Sequence, residues 1–388
     1  MSAAEELVLA EPPLTPSSLA LVAADEERAA LQAAVKEAER AVAESRHADA
    51  VAALDGRPLL PDVHADLALR ALFAESWARM SLGDLQTALS RCERARAIAE
   101  GATFSDADRA EALYRLGCVR VKLNAIATAA SLFTLALELA DRSGLPCDRL
   151  RAGILEWRSR CHQRRRDFAA AREDVERALE LATAIGDEHA TAHVYFRASV
   201  IAARMGQWLL ARFYAERAKT LYERSGDRVN VGRLLNNLGG LTFILGDPAK
   251  AKTYLKQAIS TARATGGDAD AAQAVSSLAQ VHLRTGEYEL AERHARHALG
   301  LLADRDDFID ERGNTQLVLG RALLALGRHD EAQGYFDDAD TSFARLDSLS
   351  HRAAAWMAHG DLAVARGDKD AALERFRTAA EALQDFHF

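Results

Sequence analysis

The sequence predicts an all-α fold built as a solenoid of repeated helix pairs, and three observations carry that expectation. The first is composition: the 388 residues are 49% hydrophobic, 27% charged and only 6% aromatic, with Ala, Leu, Arg and Glu dominant and no continuous strand pattern. Those four residues are strong helix formers. The second is a recurring turn. "LGDLQTA", "MGQWLLA", "GDPAKA", "TGEYELA", "LGRHDEA" and "RGDKDAA" each follow a helix-like run and end in alanine. The third is register. These alanines belong to the series Ala50, Ala88, Ala129, Ala171, Ala211, Ala251, Ala291, Ala332 and Ala372, with steps of 38, 41, 42, 40, 40, 40, 41 and 40 residues. A chain this long would ordinarily divide into domains, but repeats can extend without splitting.

In chain order, residues 1–23, with the proline-rich "EPPLTP", are expected to be a tail or linker. Residues 24–62 are expected to form a degenerate leading helical pair, and residues 63–388 eight repeats forming one solenoid. Within a repeat, the turn glycine supplies the left-handed conformation that ends the first helix. From Ala88 on, a second alanine follows each key alanine after seven residues: Ala95, Ala136, Ala178, Ala218, Ala258, Ala298, Ala339 and Ala379. Alanines at i and i+7 share one face of the second helix. Twelve residues before the key alanine, Gly117, Ser199, Gly239, Ala279, Gly320 and Gly360 place a small residue on the first helix. Antiparallel helices approach to about 8 Å only where side chains are small. Gly186-Asp187, Gly226-Asp227 and Gly267-Asp268 close repeats, glycine ending one helix and aspartate capping the next. The final "AALERFRTAAEALQDFHF" mixes polar and apolar faces, as a closing helix would.

This pattern resembles the tetratricopeptide repeat, a helix–turn–helix unit with small residues and alanines at fixed spacing. In "RLLNNLGGLTFILGDPAKAKTYLKQAI", the residues Leu235, Leu238, Gly239, Gly246, Ala251, Leu255 and Ala258 fall on its signature. With a period near 40, the chain looks most like kinesin light chains, spindle-orientation adaptors, and the sensor domains of bacterial tetratricopeptide-containing regulators and peptide receptors. The resemblance implies a right-handed superhelix whose concave groove is lined by the first helix of each pair. It also implies binding of peptides or protein segments.

Other function classes find little support. Net charge is −8, which argues against direct nucleic-acid binding. Glu5 and Glu6 stand where a signal peptide needs basic residues, and no apolar run approaches the roughly 20 residues a membrane helix requires. Cys92, Cys118, Cys147 and Cys161 show no metal or disulfide framework, so reduced, buried thiols and a cytoplasmic location are expected. There is no GxSxG, Walker loop, HExxH or dinucleotide fingerprint, so neither an enzyme nor a cofactor is expected. His189 and His193, and His294 and His297, have spacings a metal site could use. Without a matching acidic or cysteine cluster they read as chance pairs on long helices.

The candidate site is therefore the inner groove. By the resemblance, Arg233, Asn236, Asn237, Gly240, Phe243 and Ile244 point inward or to its edge in the fifth repeat. Asparagine is a mediocre helix former, so Asn236 and Asn237 are not there for local stability. Its amide both donates and accepts, so it can pair with an extended peptide backbone. In related peptide-binding repeats an asparagine in this region clasps the ligand main chain. Equivalent positions carry Phe73 and Trp77, Tyr114 and Arg115, Trp157 and Arg160, Phe196, Arg197 and Arg204, Ser276, Gln280 and Arg284, and Asn314 and Arg321. The aromatics are either groove contacts or ordinary helix packing. The arginines are either a carboxylate-binding set or a solvated face balanced by glutamates. Asn236, Asn237, Arg233, Arg197, Arg160, Trp157, Gln280, Asn314 and Arg321 are thus the expected contacts of a peptide or protein segment, expected to be acidic. The rival readings are a sensory or regulatory component of bacterial transcription control that lacks its own DNA reader, and a small-molecule-sensing solenoid.

Overall fold

The structure is a computed structural model that describes residues 16–57, 61–303, 308–346 and 349–384. Among the described residues there are eighteen α-helices, each repeat contributing an antiparallel pair as the alanine register requires. The chain divides into two compact units, Met1–Arg165 and Arg166–Phe388.

The first unit holds α1 (Pro16–Ala43), α2 (His47–Leu54), α3 (Pro61–Leu82), α4 (Leu85–Ala99), α5 (Asp106–Lys122), α6 (Ile126–Arg142) and α7 (Asp148–Arg164). Helix α1 begins within the stretch read as a tail and packs on both α2 and α3. The second unit holds α8 (Phe168–Ala184), α9 (Glu188–Arg204), α10 (Trp208–Ser225), α11 (Arg228–Ile244), α12 (Pro248–Ala264), α13 (Asp268–Arg284), α14 (Tyr288–Leu301), α15 (Ile309–Ala325), α16 (His329–Arg345), α17 (Leu349–Ala365) and α18 (Lys369–Gln384). There each first helix packs on its own partner and each second helix on the next pair, the stacking of an α-solenoid. Among the described residues no helix is long and apolar enough to cross a membrane.

Local chemistry explains the helix ends. Asp84, Asp187, Asp227 and Asp247 each accept a bond from the backbone amide three residues on, satisfying an otherwise orphaned donor. Gly246, at φ 92°, supplies the left-handed residue between α11 and α12. One cap differs from expectation. Gly266, not Gly267, takes the left-handed conformation, and Gly267 becomes the N-cap of α13 without a side-chain bond. Gly266 follows Ala251 at the spacing at which Gly226 follows Ala211, so the turn keeps its register and Gly267 stands where the other repeats carry the capping aspartate. Asp268 and Asp270 then sit in the first turn, where they face the positive end of the helix dipole.

The small-residue position has a definite partner. A Cβ placed on Gly239 would lie 2.6 Å from Leu255, on Gly320 2.4 Å from Phe336, on Gly360 2.4 Å from Phe376 and on Gly117 2.6 Å from Phe133. Each partner stands four residues after the key alanine, one helical turn along the same face. Each glycine is thus a notch for that large side chain. Where the notch residue is Ser199 or Ala279, the partner position carries only Ala215 or Ala295, both fully buried. Volume is conserved across the crossing, as close packing demands.

Candidate functional site: the first-helix face of the second unit

Helix α11 buries Leu234, Leu235, Leu238 and Leu241 on one side. Its other side carries the polar stretch that a core helix would not need. Asn236 and Asn237 are both half-buried. The Oδ1 atom of Asn236 is shielded from water and has no hydrogen-bond partner. A buried acceptor without a donor costs about 1–3 kcal/mol. Beside it opens a cavity of about 260 Å³, which Asn236, Asn237, Gly240, Ile244, Arg204 and Trp208 help to line.

The other expected contacts divide by unit. Arg197 on α9, Gln280 on α13, and Asn314 and Arg321 on α15 belong to the second unit with the asparagines. Arg197 is half-buried, and Gln280, Asn314 and Arg321 are exposed. Although its surface is open, the helices around Arg321 withdraw it in part from bulk water, and that desolvation, with Arg284 nearby, pulls its pKa below the usual arginine value against the opposing Asp361. Arg233 already has a carboxylate partner. Its Nε lies 3.0 Å from both oxygens of Asp270 on α13. Such a pair, with Arg233 nearly half exposed, is worth about 0–1 kcal/mol, so an incoming carboxylate could displace it.

Trp157 and Arg160 lie on α7 and so belong to the first unit. Trp157 is 7% exposed and meets Trp77 edge-on at 6.4 Å, while Trp77 stacks on Tyr114. The Arg160 guanidinium sits 4.1 Å from the Trp157 ring and 2.9 Å from the buried Glu156. Arg115 covers Phe73 and Trp77 in the same way and bonds Glu111. Of the two readings of these aromatics, the packed one describes their geometry.

Sequence reasoning missed two features of the second unit. Trp208, at the start of α10, is 36% exposed and forms one wall of the cavity. Its signal was present, since "MGQWLLA" puts an indole where the other quoted turns carry a smaller or polar side chain. Glu311 on α15 left no such signal. Thr315 Oγ1 donates to the Glu311 main-chain oxygen at 2.7 Å, and Ser276 Oγ lies 2.8 Å from Thr315 Oγ1. The Ser276 hydroxyl also bonds the Glu311 carboxyl and favours its charged form. Burial, with Asp310 adding repulsion, raises the Glu311 pKa to about 7 against the Ser276 bond.

The histidine pairs join structural clusters. His189 Nε2 lies 3.1 Å from Asp227, and the His282 and His294 rings stack at 5.3 Å. Burial would raise the Asp227 pKa, but bonds from His189 and Asn230 outweigh it and hold the carboxyl well below its usual range. Among the described residues, no group of three His, Cys, Asp or Glu side chains is placed to hold a metal ion.

The family model for the tetratricopeptide repeat matches residues 230–304, the stretch that contains both asparagines. No curated protein sequence matches the chain. Solved structures do resemble it. A Rap protein complexed with competence and sporulation factor aligns at 16% identity and a TM-score of 0.67, covering 94% of this chain and 99% of that one. The apo form of the quorum sensor NprR from B. thuringiensis aligns at 11% identity and 0.63, covering 91% and 98%. Aspartyl phosphate phosphatase F from Bacillus subtilis aligns at 14% identity and 0.58, covering 97% and 96%. At these identities the likeness is one of fold, and with the alanine register, the notched crossings and the matched repeats it makes this chain a tetratricopeptide-repeat α-solenoid.

Proposed function

We propose that the protein is a non-catalytic scaffold that holds a peptide or protein segment, bearing an acidic group, on the first-helix face of residues 166–388. The observation that carries this reading is Asn236. Its Oδ1 is unbonded beside an open cavity that the residue lines, so a turn of the amide toward the cavity would let a peptide N–H satisfy it. Asn237 beside it adds a second amide able to hold an extended backbone. Arg204, Arg284 and Arg321 are exposed on the same set of helices and would meet the acidic group. The Rap protein that shares this fold was solved complexed with competence and sporulation factor, which supports a ligand-holding role for the fold. All four cysteines are free and buried, which fits a reducing compartment such as the cytoplasm.

An array of random-sequence synthetic peptides, probed with wild-type protein and with the double variant Asn236→Ala, Asn237→Ala, tests the reading. Wild type should select a family of peptides enriched in Asp, Glu or a free C-terminus, and the double variant should lose them. If wild type selects nothing, or the double variant selects the same family, this face is not where a peptide is held.

A further inference from the structure

We propose that the cavity beside Asn236 is an anchor notch for one bulky apolar side chain and a neighbouring carboxylate, and that Gly240 is glycine so that the peptide main chain can lie against α11. This rests on the peptide-holding reading above and deepens it by naming the chemistry selected.

Gly239 and Gly240 are adjacent in the middle of one helix, where glycine is the least favourable residue after proline. Gly239 has a packing reason, because a Cβ there would strike Leu255 at 2.6 Å. Gly240 has none, since a Cβ there would meet nothing within 4 Å, and its backbone lies outside the left-handed region. Neither conformation nor packing within the chain asks for a glycine. Gly300 and Gly334 also face open space, but neither lines this cavity. The open space over Gly240 is the cavity itself, so the bare backbone is kept for something that approaches from outside. Glycine allows a ligand main chain to come closer than any other residue would.

The walls state what else approaches. Trp208 and Ile244 are large apolar side chains left 36% and 52% exposed at this site. Isolated exposed apolar residues need no explanation, but two that converge on one cavity mark a surface awaiting apolar contact. Among the described lining residues Arg204 alone is charged. An apolar wall with one guanidinium and a few fixed amides is the pattern of a pocket that orients its ligand through a few polar groups. It suits a peptide residue such as Phe or Leu next to a carboxylate, which the Arg204 fork can bind bidentately, while the Asn236 Oδ1 takes a backbone N–H. The carboxylate can be a chain terminus or an Asp or Glu side chain.

Fluorescein-labelled hexapeptides read by fluorescence anisotropy separate these sources and test the notch. One arm places Phe or Leu at a free C-terminus, a second places it beside Glu with an amidated C-terminus, and a third has an amidated end and no acidic residue. The first or second arm should bind wild type and the third should not, and the arm that binds identifies the carboxylate. Gly240→Ala should weaken that binding about tenfold and Gly240→Leu should abolish it, because each added side chain occupies the notch. Both variants should melt at or above the wild-type temperature, since each relieves a helical glycine. Arg204→Gln should weaken the binding arm about tenfold. The notch is overturned if Gly240→Leu binds like wild type while Asn236→Ala does not, an outcome that leaves the peptide-holding reading intact. It is equally overturned if Gly240→Ala melts below wild type, which would make that glycine structural. Failure of every hexapeptide, with the peptide array still selecting a family, removes the notch alone. Failure of both removes the underlying reading as well.

Discussion

Where Asn236 and Gly240 stand on α11, the equivalent places on α5 of the first unit hold Tyr114 and Cys118. Tyr114 lies against Trp77 and Phe133, and burial raises its pKa well above the usual tyrosine value. Cys118 is fully buried. The first unit thus closes this face with its own rings, buried glutamates and stacked guanidiniums. On α11 the second unit leaves it open, with an unbonded amide oxygen and a bare glycine. The repeat is the same and so is the packing of its opposite side. The first-helix face can therefore serve either as a second core or as a surface, and the residues at those two positions decide which.

The largest test of that contrast is Trp157→Ala. If the first unit's face is a core, truncation should cost about 3–5 kcal/mol, read as a shift in the urea unfolding midpoint. A loss below about 1 kcal/mol would show Trp157 to be exposed and would erase the difference between the units.

Next is Glu311→Gln, which probes how closed the α13–α15 seam is. Glu311 has a folded pKa of about 7 against an ordinary 4.5, so the folded state holds its proton more tightly than the unfolded chain. Stability from this group is therefore full below about pH 4.5 and is lost as pH rises to about 7, at most about 3 kcal/mol in all. Glutamine keeps the shape of the side chain and does not titrate. The variant should match wild type at low pH and exceed it at pH 8. Parallel pH profiles for the two proteins would mean that Glu311 is solvated.

A smaller effect separates the adjacent glycines. Gly239→Ala should cost about 1–3 kcal/mol, because the new methyl collides with Leu255. Gly240→Ala should gain up to about 1 kcal/mol from helix propensity alone. Equal denaturation midpoints for the two would contradict the open face at Gly240.

Much of the fold could be read directly, because helix pairing is written in short-range patterns. The key alanines, the turn glycine at Gly246 and the caps at Asp187 and Asp227 all act within one turn or one crossing. The cap at Gly267 shows the limit of that reading, since with two glycines in a row the pair Gly267-Asp268 was read as the turn and cap that Gly266 and Gly267 form. The site was legible only as a misfit. Two asparagines in a core helix are visible in sequence, but whether Asn236 Oδ1 has a partner depends on neighbouring helices about 40 residues away. The Arg233–Asp270 bond, between residues 37 apart, escapes i,i+4 reasoning for the same reason. Trp157 fell on the inward face by its position in the repeat. What covers that face depends on the Trp77 ring eighty residues earlier, and no local pattern reports it.

The smallest predicted effect on stability is the one most specific to the open face. Asn236→Ala removes a half-buried side chain, and in a packed core that would be destabilising. Here the lost oxygen had no partner, so its removal relieves a desolvation cost of about 1–3 kcal/mol. Alanine also adds a few tenths of a kcal/mol or more in helix propensity. Against these gains stand the few van der Waals contacts of a short amide. The balance should lie between zero and about 1 kcal/mol of stabilisation, measured by urea titration beside the wild type. The corresponding change in the first unit, Tyr114→Ala, should instead destabilise by about 3–5 kcal/mol, since its ring is packed between Trp77 and Phe133. A residue that weakens the fold while present, and whose loss also removes the peptides the wild type selects, is held for binding. If Asn236→Ala instead destabilises by more than about 1 kcal/mol, its amide is a structural bond, and the two units differ only in composition.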